Sequence, residues 1–277
     1  MTPHPPPRRV RAFVVRWTAF LVGLWVVAVL GMKWFENALV FRPAPATDWA
    51  DPGEPPPDDV WLALDDGTPV HGWYFPHESA TGAVLLSHGN GGNLSHRGRL
   101  ARELGRQLGK AVLSYDYPGY GKSGGSPTEA GCYAAGEAGF RWLVQKGFPA
   151  RNVLLVGESL GGGVAVELAT RHDHAALVLA FTFTSLPEAA KHHKPWVPCV
   201  TLMSNRFDSR AKIGACTRPV FIAHGTEDRI VPFEQGEALY AAAHAPKAFF
   251  RMDGVGHGFG QPAEFFTRLK AFLAANE

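Results

Sequence analysis

The segment NVLLVGESLGGGVAVELATR, residues 152–171, restricts the fold more than any other part of the chain. Its first half is a short aliphatic run, suited to a strand buried on both faces. Its second half carries small and apolar residues at helical spacing. Gly157, Ser159 and Gly161 stand between the halves, so a strand must turn sharply into a helix with a serine at the corner. Glycines two residues before and two after relieve the crowding of such a corner. The turn lifts the hydroxyl clear of the backbone, and the helix start leaves amide N–H groups beside it. This is the G-x-S-x-G nucleophile elbow. A serine hydroxyl needs a base and an orienting acid to become reactive, so the chain must supply both.

The rest of the domain repeats the strand-to-helix alternation. VWLAL and VHGWYF flank DDGT and read as a hairpin. Further strands are expected at 83–88, 111–117, 152–156, 176–181, 219–224 and 247–252. Helices are expected at 95–108, 128–145, 160–171, 233–243 and 263–274. This order predicts an α/β fold with a mostly parallel central sheet flanked by helices. In such sheets ligands bind beyond the carboxyl ends of the strands.

Each candidate site residue follows a strand. Asp228 ends HGTED (224–228), just past one strand, with Glu227 as the rival acid. His257 lies in the glycine loop GVGHGFG (254–260) after the last strand; His224 and His244 are the weaker alternatives. The order Ser159, Asp228, His257 after successive strands makes a triad. SHGNGGN (87–93) turns tightly after an early strand and can aim amides at a tetrahedral oxyanion. The amides of Asn90 and Leu160 are the expected donors, with Gly91 as an alternative and His88 as a structural residue. G-x-G-x-x-G at 119–124 does not open a helix, and the GKS within it lacks the first phosphate-loop glycine, since Asp116 stands there. Both read as a glycine-rich turn near the site, with no cofactor and no metal.

The N-terminus has a different character. Residues 1–11 are basic and proline-rich and are expected to be disordered; residues 12–32 form an apolar run long enough to cross a bilayer. Arg8, Arg9, Arg11 and Arg16 precede or open it, which keeps the N-terminus cytoplasmic and sends the remaining chain to the outer side. A cleaved signal peptide has the same basic start. No small-residue site follows in LGMKWFEN, and PAPA (43–46) stands far downstream, so an uncleaved anchor is the reading. Residues 33–59 read as a proline-dense extended linker with a docking segment, and 60–277 as the catalytic domain with a small cap insertion near 182–217. The net charge of +2 comes from dispersed basic residues and indicates no nucleic-acid partner. Of the three cysteines, Cys199 and Cys216 are free to pair in an oxidising compartment. The clusters at 172–174 and 192–194 read as solvated loop histidines.

With these residues in hand, the domain resembles the α/β-hydrolase superfamily, and more narrowly its single-pass, membrane-anchored α/β-hydrolase-domain proteins. The shared pieces are HGN-x-GN, DY-x-GYG-x-S-x-G-x-P, GESLGG and HG-x-x-D-x-x-VP, together with ENALVFRP after the anchor. The resemblance implies Ser159, Asp228 and His257 as triad and a serine esterase or thioesterase activity; some relatives remove acyl chains from proteins. It also implies that Leu39, Val40 and Phe41 dock on the domain. Gly258 and Phe259 depart from the polar residues that relatives carry after the histidine. Lipid or lipidated-protein esters are the expected substrates, with small esters second. The alternative class is a catalytically silent binding or signalling module on a membrane stalk.

Overall fold

The computed structural model describes residues 8–258 and 262–276. Helix α1 (Arg8–Trp34) runs for 27 residues, about 40 Å at 1.5 Å per residue. It is exposed along nearly its whole length; Val29 is its one fully buried described residue. It is long and apolar enough to cross a membrane. Arg8 to Arg11, grouped with the disordered tail on composition, are helical, because no proline follows Pro7 to interrupt the pattern. Residues 1–7 lie outside the described residues.

The sheet has eight strands: β1 (Asp58–Ala63), β2 (Pro69–Phe75), β3 (Ala83–Ser87), β4 (Ala111–Tyr115), β5 (Val153–Glu158), β6 (Leu177–Ala180), β7 (Val220–Gly225) and β8 (Lys247–Met252). Their spatial order is β8-β7-β6-β5-β3-β4-β2-β1. The pairs made by β2 are antiparallel and all others are parallel. The helices after α1 are α2 (Glu36–Val40), α3 (Gly98–Leu108), α4 (Glu129–Gln145), α5 (Leu160–Arg171), α6 (Leu186–His193), α7 (Cys199–Leu202), α8 (Ser209–Lys212), α9 (Phe233–Ala242) and α10 (Ala263–Ala274).

Strand periodicity divides the core in two. Leu85, Leu113 and Leu155 point to one face, where α4, α5 and α9 cover them. Val84, Val112 and Leu154 point to the other, beneath α3 and α10. Both faces are covered, so β3 to β7 read as unbroken apolar runs.

Within residues 33–59 the stretch 36–43 is structured, while 46–57 hold no helix or strand. The chain forms α2 after Trp34, then Arg42–Pro43 pairs in parallel with Gly91–Gly92. Glu36 is buried and accepts hydrogen bonds from the Ser204 and Asn205 amides, tying α2 to the cap. Of the three residues expected to dock, Phe41 is buried against Phe207, Val40 is half-buried, and Leu39 is exposed. The segment binds because its backbone finds a strand partner and Phe41 finds a core pocket. Proline content alone does not reveal such pairing.

The cap insertion holds α6, α7 and α8. All three cysteines are free and buried; Cys216 contacts His174. His174 is itself buried and His172 stacks on Phe140, so these two histidines are packed rather than solvated. His192 and His193 are exposed but lie on α6 instead of a loop.

Candidate active site

The corner after β5 has the expected geometry. Ser159 adopts φ 53° and ψ −118°, left-handed backbone that a non-glycine residue enters at a cost of about 1–3 kcal/mol. The surroundings hold it there: the Ser159 amide donates to the Ala180 carbonyl at 2.9 Å, and the Thr182 hydroxyl donates to the Ser159 carbonyl at 2.7 Å. A methyl group on Gly157 would lie 2.5 Å from the Gly161 carbonyl oxygen, and one on Gly161 would lie 2.0 Å from that of Ser87. Both glycines are therefore required by backbone against backbone.

Three side chains from three strand ends meet at this corner. Ser159 Oγ lies 3.1 Å from His257 Nε2, so the hydroxyl can donate to the ring. His257 Nδ1–H donates to Asp228 Oδ2 across 2.7 Å. The other Asp228 oxygen accepts from the Ile230 and Val231 amides, both at 2.8 Å. Burial pushes the Asp228 carboxyl up, but hydrogen bonds from His224, His257 and the Val231 amide outweigh it and hold the group well below the ordinary carboxylate range. The rival acid Glu227 is exposed. The rival base His224 is fully buried, with Nε2 3.2 Å from Asp228 Oδ2 and 3.0 Å from the Val231 carbonyl. It braces the acid from within the core. His244 follows α9 and lies beside Gly214, away from this cluster. Phe259, noted as a departure from the family pattern, lies outside the described residues.

Asn90, Leu160, Ser159 and His257 line one cavity of about 780 Å³, bounded also by Leu39, Val40 and Met203. The Leu160 amide is the first of α5 and has no intrahelical acceptor. Among the described residues the Asn90 amide has no acceptor. Its carbonyl accepts from the Arg42 amide (3.2 Å) and the Tyr120 hydroxyl (2.8 Å), and its side chain donates to the Val40 carbonyl at 2.8 Å. The Tyr117 hydroxyl donates to the neighbouring His88 carbonyl at 2.6 Å. The glycine-rich turn DYPGYGKSGG thus carries two tyrosines that fix the loop; a pattern of glycines said nothing of them. His88 is fully buried, with Nδ1 2.6 Å from the Gly89 carbonyl.

Two more buried groups escaped sequence reasoning. Glu158, next to the serine, and Arg97 lie 3.7 Å apart in the cavity wall, and the Arg97 guanidinium also donates to the Gly91 carbonyl at 2.9 Å. Burial pushes the Glu158 carboxyl up despite the opposing charges of Arg97 and His257. Glu158 stood inside the elbow motif, but its partner lay 61 residues earlier, at the start of a helix.

Comparison with known proteins agrees with this architecture. Residues 82–208 match the family model described as the alpha/beta hydrolase fold. An uncharacterized protein of Mycobacterium tuberculosis is 38% identical over 254 residues, covering 90% of this chain and 89% of that one. Alpha/beta hydrolase domain-containing protein 17B of Xenopus laevis is 33% identical over 208 residues, covering 71% and 67%. The human protein of that name is 34% identical over 203 residues, covering 69% and 66%. Among solved structures, an esterase of Pyrococcus furiosus superposes with a TM-score of 0.70 at 19% identity, covering 85% of this chain and 98% of that one. From sequence relationship and topology together, the chain belongs to the α/β-hydrolase family and is a hydrolase.

Proposed function

We propose that this chain is a membrane-anchored serine hydrolase that cleaves carboxylic ester or thioester bonds through an acyl-enzyme. Ser159 Oγ attacks the carbonyl carbon while its proton passes to His257 Nε2. Asp228 stays ionised, accepts from Nδ1–H, and stabilises the imidazolium that forms. The amides of Asn90 and Leu160 take the developing oxyanion. Collapse expels the alcohol or thiol, which leaves with the proton from His257. Water then attacks the acyl-enzyme with His257 as base, freeing the acid and restoring the serine. The observation that carries this reading is the unbroken relay Ser159–His257–Asp228, with contacts of 3.1 and 2.7 Å. A silent binding module would have no use for the left-handed serine at its centre.

Residues 12–32 serve as the anchor in this reading, with the basic residues before them on the cytoplasmic side and the catalytic unit, 60–277, on the outer side. The apolar walls of the cavity at Ser159 favour lipid-like or acylated substrates. The Pyrococcus furiosus neighbour, named an esterase, is consistent with ester chemistry.

Hydrolysis of p-nitrophenyl esters of graded chain length tests the proposal. Wild type should turn them over, and Ser159→Ala should lose about 10⁴–10⁶ in kcat. Equal rates in the two proteins would refute it.

A further inference from the structure

The cavity at Ser159 continues toward the membrane helix. Leu39, Val40, Arg42, Ala190, His193 and Met203 line both it and a second cavity of about 300 Å³. This second space lies between the last turns of α1, α2 and the cap. Val29 and Met32 form its α1 wall; Val197, Cys199 and Leu202 form its cap wall. Its lining also includes Lys33, Glu36, Arg42, His193 and Lys194. Lys33 donates to Glu36 at 2.8 Å, and Glu36 also accepts from the Ser204 and Asn205 amides. His193 Nε2 lies 2.7 Å from the Ile230 carbonyl, and most of the remaining lining is apolar.

The cap also reaches back along α1. The Trp25 indole N–H donates to the Trp196 carbonyl at 3.1 Å. Trp25 precedes Met32, the end of the apolar run, by seven residues, or about 10 Å along the helix axis. A helix that crosses the bilayer over 12–32 therefore carries the cap tip down to the level of the headgroups and upper acyl chains. Trp196 and Val200 are exposed at that tip, and tryptophan is the side chain favoured at this depth.

We propose that the junction of α1 with the cap is an acyl-chain site. One hydrocarbon chain of a bilayer-resident ester enters laterally beside Val29 and lies between Leu39 and Leu202, which presents its carbonyl carbon to Ser159. A single chain is the occupant because the space is small, about 300 Å³, lined mostly by apolar side chains, and shares its wall with the reaction cavity; a helix or strand would bring more backbone polar groups than the few polar side chains there could satisfy. The inference rests on the acyl-enzyme reading and on α1 spanning the bilayer.

The test uses the full chain in phosphatidylcholine vesicles and a hexadecyl fluorophosphonate with a diazirine at the chain terminus. Ser159 Oγ bonds to phosphorus, and fluoride leaves with the hydroxyl proton taken up by His257. Irradiation then marks where the chain end lies. Crosslinks within 25–39 and 197–203 are the expected result. Crosslinks confined to other segments, or to vesicle lipid, overturn the acyl-chain site while leaving the acyl-enzyme intact. No phosphonate on Ser159 in folded protein removes the acyl-enzyme reading and this proposal with it. As a second measurement, Leu202→Trp should lower the ratio of kcat/KM for hexadecanoyl over butanoyl esters by about tenfold, the cost of roughly two displaced methylenes. An unchanged ratio in folded variant counts against the site.

Discussion

The Arg42 amide donates to the Asn90 carbonyl across 3.2 Å, and the Asn90 side chain donates back to the Val40 carbonyl at 2.8 Å. The segment that follows the apolar helix therefore frames the loop that lines the cavity with Ser159. Gly91–Gly92 and Arg42–Pro43 extend this contact as a short parallel pair. In this chain the segment after α1 and the loop carrying Asn90 form one hydrogen-bonded unit.

Tyr120→Phe tests that frame. The Tyr120 side chain is fully buried, and its hydroxyl is the second donor to the Asn90 carbonyl. Removing it should cost about 1–2 kcal/mol in urea unfolding. If the Asn90 amide takes the oxyanion as proposed, ester kinetics should show kcat reduced several-fold with KM little changed.

The elbow glycines make a sharper contrast. Gly161→Ala forces a methyl group into the Ser87 carbonyl, so a loss of about 3 kcal/mol or more is expected, or failure to fold. Gly91→Ala meets nothing within 4 Å and should stay within about 0.5 kcal/mol of wild type. Chemical denaturation of the two variants side by side measures the difference.

Much of this was legible beforehand. Alternating apolar faces such as Val84 and Leu85 announced a sheet covered on both sides, and Gly157 and Gly161 announced the corner. What stayed hidden depends on partners distant in sequence. Arg42–Pro43 becomes a strand only because Gly91–Gly92 lies beside it, and two residues carry no periodicity. Arg97 reads as an ordinary helix-start arginine until Glu158 is placed 3.7 Å away. His174 reads as solvated until the packing around Cys216 buries it.

Glu36 should give the protein an acid-sensitive joint between α2 and the cap. Burial pushes its carboxyl up, but donors from Asn205, Lys33 and Ser204 prevail and hold it below its ordinary value of 4.5. Its folded form therefore binds a proton less readily than its unfolded form. The stabilisation is full above about pH 4.5 and is lost as pH falls further. Glu36→Gln should lower Tm at pH 7, by a loss of about 2 kcal/mol, and flatten the decline of Tm below pH 5. Thermal melts across pH 3–7 check this, with a parallel pair of curves as the contrary result.

Asp228→Asn separates catalysis from folding. The Asn oxygen can still accept from the Ile230 and Val231 amides, so circular dichroism should be unchanged. The charge that stabilises the His257 imidazolium is gone, and kcat should fall by about 10⁴. Steady-state kinetics on a short-chain ester provide the measurement.

Peptide mapping of the fluorophosphonate adduct bears most directly on the acyl-transfer account. One phosphonate per chain, located on Ser159 and absent in both Ser159→Ala and His257→Ala, is the predicted result. Stoichiometric labelling at any other residue, or none in a folded chain that hydrolyses esters, would contradict it.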